Sequence, residues 1–146
     1  MSEVTQVNAT ENQSQFNYDN SKIFIFGNRY EKVVFTNLTG GTLSYAAGTV
    51  LGRISATGKV TEMKSAATDG SELPIGVLAT AITDLATVSD IDVNMCIKGD
   101  IAEDKVVFNG SDVVTTAEQG RIYRDWLTLV GIILKSGTEL TNFDNQ

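Results

Sequence analysis

The sequence contains no histidine and only one cysteine, which removes the usual means of building a catalytic centre. Histidine is the common general base near neutral pH, the partner of a nucleophilic serine or cysteine, and the commonest zinc ligand. The single cysteine, Cys96, cannot form an internal disulfide, and its apolar neighbours predict a buried thiol. We therefore expect no catalytic residues, no cofactor and no metal site.

Cationic residues are also scarce, at 11 Lys and Arg against 18 Asp and Glu, so the net charge is −7. A nucleic-acid-binding protein neutralises phosphates with clusters of Lys and Arg, and the sequence has no such cluster. No apolar run approaches the ~18 residues of a membrane span, and the first residues lack the basic and apolar regions of a secretory signal. We expect a protein that is made inside a cell and has neither nucleic acid nor a membrane as its partner.

The beginning of the chain differs in composition from the rest. Residues 1–20 are rich in Asn, Gln, Ser, Thr and Glu and contain few large apolar side chains. Because so little burial cannot offset the conformational entropy of the chain, we predict a flexible N-terminal arm. Phe16 and Tyr18 are the aromatic anchors through which this arm would order on a partner. Residues 21–136 form the body that we expect to fold, and residues 137–146 form a short polar tail.

The body is predicted to be rich in β-strands. Residues 22–26 are β-branched and aromatic and are followed by Gly27 and Asn28, which predicts a strand and then a turn. In residues 91–97 the apolar side chains alternate with polar ones, so the apolar set lies on one face of a sheet. Further strands are predicted at residues 30–36, 48–52, 58–63, 75–82, 105–108 and 129–134.

A helix is predicted over residues 116–127. A hydroxyl side chain at Thr115 or Thr116 can cap it, and three apolar side chains follow at helical spacing. Gly120 lowers the stability of such a helix by about 1 kcal/mol relative to Ala, so packing against the sheet must hold it. Its aromatic and cationic residues favour either core packing or a contact between subunits. The candidates for that contact are Tyr123, Arg124 and Trp126.

A series of short glycine-containing segments carries a resemblance to a known family. They are residues 47–52 (AGTVLG), 57–60 (TGKV), 69–70 (DG) leading into 74–79 (PIGVLA), the strand 91–97, residues 98–102 (KGDIA) and residues 105–108 (KVVF). In their order and spacing, over residues 46–134, they resemble the small head decoration proteins of tailed bacteriophages, the family of the lambda capsid-stabilising protein D.

This resemblance implies a mainly β protein with a small β-barrel-like or β-tulip fold, one short helix near the C-terminus and a flexible N-terminal arm. It implies a non-enzymatic cement protein that binds the major capsid protein as homotrimers, at three-fold sites on the outer surface of the expanded head. There it would stabilise the virion against the pressure of packaged DNA, without a small-molecule substrate. The implied capsid contacts are Phe16, Tyr18, Ile23, Phe24, Ile25 and Phe26.

Two questions stay open at the level of sequence. Residues 22–45 have clear strand character, whereas short members of the family have little regular structure before the core, so this segment is either an added hairpin of the domain or part of the capsid contact. The alternative function is a β-rich tail, fibre or carbohydrate-recognition module. An enzyme is the third choice, because the acidic cluster of Asp100, Glu103 and Asp104 predicts a solvated turn rather than a carboxylate site.

Overall fold

The structure is a computed structural model that describes residues 22–136. The whole predicted arm, with Phe16 and Tyr18, and the whole predicted tail lie outside the described residues. The elements in chain order are β1 (Phe24–Thr36), β2 (Leu43–Tyr45), β3 (Val50–Arg53), β4 (Val60–Glu62), β5 (Pro74–Leu78), β6 (Ile82–Leu85), β7 (Asp90–Ala102), β8 (Ala117–Glu118), β9 (Arg121–Ile122), α1 (Tyr123–Val130) and β10 (Ile132–Lys135).

Five strands close into a barrel in the order β1-β4-β3-β5-β7, and the pairing of β7 with β1 completes the circle. Strand β10 extends the sheet by pairing in parallel with β7. Strands β2 and β6 form a separate antiparallel pair. The predicted fold class, mainly β with one short helix near the C-terminus, is confirmed. Among the described residues, no helix has the length and apolar character of a membrane span.

The two longest strands, β1 and β7, have 13 residues each and pair antiparallel along most of their length. The prediction of two strands with a turn at Gly27 and Asn28 is wrong. Gly27 has φ +66°, and the register shifts between Phe26 and Arg29, so the glycine forms a bulge inside one continuous strand. Near the other end of β1, Phe35 is fully buried in the core. This strand is therefore one of the strands that form the barrel and is not an added hairpin.

Neighbouring residues of the barrel strands are buried on opposite faces. In β3, Leu51 belongs to the cluster that draws on all five barrel strands, whereas Val50 belongs to a second cluster with α1 and β10. In β7, Met95 belongs to the first cluster and Cys96 to the second. The thiol of Cys96 is buried, as predicted. These strands are therefore apolar at consecutive positions because the barrel interior covers one face and the helix layer covers the other. Full burial of such a side chain contributes about 1.5–3 kcal/mol.

The helix is shorter than predicted, because it starts at Tyr123 and not at residue 116. Strands β8 and β9 form a small hairpin before it, with Gln119 at φ +54° and Gly120 at φ +81° in the turn. A two-residue hairpin turn of this kind needs positive φ at both positions, so the glycine that weakens a helix is favourable here. The Thr116 hydroxyl accepts a hydrogen bond from the backbone N–H of Val113 at 2.8 Å and does not cap α1.

Three other predicted strands also differ from the structure. Residues 75–82 do not form one strand, because β5 ends at Leu78 and β6 begins at Ile82. Residues 105–108 form no regular strand, because a 3-10 turn occupies Glu103–Lys105 and a single bridge joins Thr49 to Val107. The last strand starts at Ile132 because α1 continues to Val130 and ends at Gly131, whose φ is +108°. The backbone N–H of Gly131 donates to the carbonyl oxygens of Leu127 and Thr128, and a left-handed glycine is a common helix end.

Candidate capsid and subunit interfaces

Both ends of the described chain lie at the same end of the barrel. Ile101 of β7 pairs with Phe24 of β1 on one side and with Leu134 of β10 on the other. The backbone N–H of Ala102 donates to the carbonyl oxygen of Ile23 at 2.8 Å, which continues this arrangement to the first described residues. We name this region the terminal pole and define it as residues 22–26, 99–104 and 132–136.

The terminal pole contains four of the six predicted capsid contacts. Ile23 and Phe24 are half-buried and pack against the cluster beneath α1, and Ile25 is half-buried as well. The ring of Phe24 meets the edge of Tyr30 at a centroid distance of 5.8 Å. Phe26 differs from the other three because 76% of it is exposed. Within the predicted set, it is the side chain in the described region that offers a free apolar surface, and the role of the set in capsid binding stays a prediction.

A row of three outward-facing side chains crosses the sheet at Phe26. Phe26 pairs with Asp100 of β7, and Asp100 pairs in turn with Ile133 of β10, which is 46% exposed. Because strands in a sheet lie ~4.8 Å apart, the two apolar side chains are about 10 Å from each other with a carboxylate between them. Such a row can contact a protein surface.

A cleft of about 330 Å³ opens beside the terminal pole. Its lining includes the apolar Val106 and Phe108 together with Glu103 and Asp104. The last two belong to the 3-10 turn, so the predicted turn is present. Arg124 forms an ion pair with Glu103 and donates to the carbonyl oxygen of Leu134 at 3.0 Å. The guanidinium therefore joins this turn to the helix and to β10.

The three predicted subunit contacts form their polar interactions within one subunit. Tyr123 is fully buried, stacks on Phe108, and donates its hydroxyl hydrogen to the carbonyl oxygen of Glu72 at 3.0 Å. Burial, with nearby carboxylates, raises the pKa of Tyr123 to about 12. Trp126 donates its ring N–H to the carbonyl oxygen of Glu118 at 2.9 Å, and the Arg121 guanidinium lies 5.0 Å from the centroid of its ring. Arg124 and Trp126 keep partly exposed surfaces, whereas Tyr123 keeps none.

The opposite end of the barrel carries a different surface, which residue types alone did not single out. Here β1 runs into the loop of residues 37–42, and the loop of residues 86–89 lies beside it. Leu38 is 56% exposed and Val88 is 82% exposed. We name these two loops the apolar tip. Since β1 has 13 residues at ~3.3 Å each, the tip lies about 40 Å from the start of β1.

One buried asparagine holds the two loops of the tip together. The Asn37 side chain donates to the carbonyl oxygens of Gly41 and Leu85, both at 2.9 Å, and accepts from the backbone N–H of Thr39 at 2.9 Å. Its backbone adds an N–H bond to the Ser89 carbonyl at 3.1 Å and accepts from the Val88 N–H at 2.9 Å. Asn37 is fully buried, so these bonds satisfy groups that would otherwise be costly to bury.

Within residues 22–136, no group of three or more His, Cys, Asp or Glu side chains is placed to hold a metal ion. The model of the family described as bacteriophage lambda head decoration protein D matches residues 28–124. The chain belongs to this family. No individual curated protein matches the chain.

Membership makes this chain a phage head decoration protein, a structural component that binds the capsid and is located there in the virion. The family is generally non-enzymatic. The matched segment contains the whole apolar tip and the barrel except for the first four residues of β1. It starts at Asn28 and ends at Arg124, so Phe26 and Ile133 of the terminal pole lie outside it.

Proposed function

We propose that this head decoration protein acts as a cement on the outer surface of the expanded head. Homotrimers at three-fold sites would bind the major capsid protein and stabilise the shell against the pressure of packaged DNA. The observation that carries the proposal is the family match over residues 28–124, which coincides with a closed barrel whose buried core is completed within one chain. A preformed barrel can resist outward force without having to fold on its target.

The terminal pole is the proposed capsid face. Both flanking segments connect to the described chain here, and the exposed Phe26 lies next to the start of β1. The proposed contacts are Phe16, Tyr18, Ile23, Phe24, Ile25 and Phe26. A large exposed aromatic side chain is a typical anchor of a protein interface, because it buries much area with little loss of conformational entropy.

The distribution of charge supports this assignment. All 11 cationic residues lie between residues 22 and 136. The same range contains 13 acidic residues, so the net charge of the body is close to zero. The remaining five acidic residues lie in the flanking segments, which contain no Lys or Arg. We therefore expect the capsid surface that receives the arm to be basic, because charge complementarity favours encounter and correct orientation.

Repetition strengthens such contacts. In a trimer, each of the three copies would present its terminal pole to the capsid. Once one copy is bound, the other two are held close to the capsid, so they bind at a high effective concentration. The helix α1 supplies a proposed contact between copies through the exposed parts of Arg124 and Trp126. Because the Tyr123 side chain is covered within its own subunit, its proposed role is to position α1 for that contact.

The proposal is tested by mixing the protein with expanded, undecorated heads of its own phage and measuring occupancy. Deletion of residues 1–20 and Phe26→Ser should each lower the affinity, since both remove anchors at the capsid face. Val34→Ser is the matched control, because Val34 is an exposed apolar residue in the same strand, far from the terminal pole. Unchanged binding of both variants would exclude the terminal pole as the capsid face. Binding of the protein to glycans but not to heads would instead support the recognition-module alternative.

A further inference from the structure

The apolar tip lacks charge to an extent that is unusual for this chain. One residue in five is charged overall, yet residues 33–52 contain no Asp, Glu, Lys or Arg, and neither do residues 85–89. The exposed surface of the tip therefore consists of apolar side chains, hydroxyl groups and glycine. Depletion of charge with retention of exposed apolar residues is the composition of an interface core rather than of an ordinary solvated loop.

The tip is also held in a conformation that its sequence does not favour locally. Val88 has φ +57°, a region that residues branched at Cβ rarely adopt because of steric conflict with the backbone. The bond from its N–H to the Asn37 carbonyl oxygen maintains that conformation, and the Thr87 hydroxyl donates to the carbonyl oxygen of Thr39 across the two loops. The result is an apolar side chain that is fixed in position while 82% of it stays exposed.

We propose that the apolar tips of three copies pack against one another around the three-fold axis of the trimer. This inference rests on the proposed function, since it assumes that the protein assembles into trimers. Although the body of each copy is close to neutral, acidic side chains of neighbouring copies repel one another wherever they approach. At a three-fold axis the same residue of all three copies comes together. An ionised side chain at the axis would therefore lie next to two identical charges and be repelled by them.

Of the two poles, the tip is the one that can occupy the axis without this repulsion. The terminal pole carries Lys22, Asp100, Glu103, Asp104 and Lys135, whereas the tip loops themselves carry no charge and Asp84 and Asp90 lie on either side of the second loop in the chain. One of these, Asp90, is paired with Lys59 at 2.6 Å. A copy whose tip lies at the axis also directs its terminal pole outward, over neighbouring capsid subunits. In this orientation the tip contact lies at the axis, and the proposed α1 contact lies towards the periphery of the trimer, because Arg124 bonds to Glu103 and Leu134 of the terminal pole.

The test uses the full-length protein and three variants in sedimentation equilibrium at several protein and salt concentrations. Val88→Asp places three carboxylates at the proposed axis and should weaken trimerisation about tenfold or more, with partial recovery in high salt because salt screens the repulsion. Val88→Asn should weaken it less, because it removes the apolar contact without adding charge. Both Asp and Asn tolerate positive φ, so these variants should fold, which thermal unfolding checks.

Val113→Asp is the matched control, because Val113 is 51% exposed but lies in the loop before β8, outside both the tip and α1. It should leave trimerisation unchanged. Wild-type trimers that are insensitive to Val88→Asp, or that are disrupted only by Val113→Asp, would overturn the tip contact while leaving the trimer intact. A wild-type protein that is monomeric both in solution and on the head would instead refute the trimer itself. If trimers form only on heads, occupancy of the same variants on heads replaces the sedimentation readout.

Discussion

The two poles of the barrel are formed by the same two long strands, yet their chemistry differs. At the terminal pole, β1 and β7 are joined by β10, and carboxylates, a cleft and exposed apolar side chains lie close together. At the apolar tip, the same strands end in uncharged loops that one buried asparagine connects. A barrel that is rigid along its length can thus present two surfaces with independent roles.

The difference between the poles also lies in how each is stabilised. The tip depends on a few hydrogen bonds that converge on one side chain, because its apolar residues Leu38 and Val88 point outward and contribute little to the core. The terminal pole rests on buried side chains such as Ile101 and Leu134 in the cluster beneath α1. Loss of one polar side chain should therefore affect the tip more strongly than the terminal pole.

A pair of asparagine substitutions tests this difference. Asn37→Ala should lower the free energy of unfolding by about 2–4 kcal/mol, because it leaves the buried Leu85 carbonyl without its donor and removes the bonds to Gly41 and Thr39. Asn28→Ala is the control at the terminal half of β1, where the half-buried side chain donates to the Asp100 carbonyl oxygen at 3.1 Å, and it should cost about 1 kcal/mol. Urea denaturation measures both values. Equal losses would contradict the proposed dependence of the tip on one residue.

A second prediction uses pH to probe the helix side of the barrel. Because the folded-state pKa of Tyr123 is raised to about 12 from its ordinary value of 10, the folded protein holds this proton more tightly than the unfolded chain does. The resulting stabilisation is complete below pH 10 and is lost as the pH rises from 10 towards 12.

Tyr123→Phe should therefore reduce the alkaline loss of stability, and it should cost about 1 kcal/mol at neutral pH through the lost bond to the Glu72 carbonyl. Denaturation at several pH values compares the variant with the wild type. Because Tyr45 also has a pKa raised by burial, Tyr45→Phe serves as the comparison on the barrel-interior side. An alkaline profile that Tyr123→Phe does not change would show that this hydroxyl is not buried as described.

The smallest expected effect concerns the strain at the tip. Val88→Asn should raise the free energy of unfolding by about 0.5–1 kcal/mol, because Asn adopts positive φ at lower cost than Val. Val34→Asn is the control, since Val34 lies in regular strand conformation and gains nothing from the substitution. Thermal unfolding at a protein concentration that keeps the chain monomeric measures both. A loss of stability in Val88→Asn would mean that the Val88 side chain stabilises the monomer, which would contradict a role for it in contacts between copies alone.

The sequence predicted the fold class and several strands because period-two patterns report directly on sheet faces. In β7, Val93 and Met95 are buried and Asp92 and Asn94 are exposed, as the alternation required. Ile91, which belongs to the same pattern, is 41% exposed because it lies near the end of the strand by the tip. The prediction of a helix start at Thr116 failed because Gly120, read as a weak helix residue, forms a hairpin turn.

The candidate surfaces were less accessible to sequence reasoning, because exposure depends on which elements pack together. Residue types identified Phe26 and the α1 residues, but they could not show that Tyr123 is covered within its own subunit. The tip joins two loops that lie almost 50 residues apart in the chain, through bonds such as that from Asn37 to the Leu85 carbonyl. The local signal in the sequence was the absence of charged residues from residues 33–52. Such a stretch can be either buried core or exposed interface, and the structure is needed to tell which residues are exposed.

The most direct test of the account is electron cryomicroscopy of expanded heads mixed with the full-length protein. We predict trimeric density at three-fold sites on the outer surface, with Phe26 and Ile133 of each copy turned towards the shell and Leu38 and Val88 meeting at the axis. Density with the tips against the shell and the terminal poles at the axis would contradict it, as would heads that carry no added protein at saturating concentration.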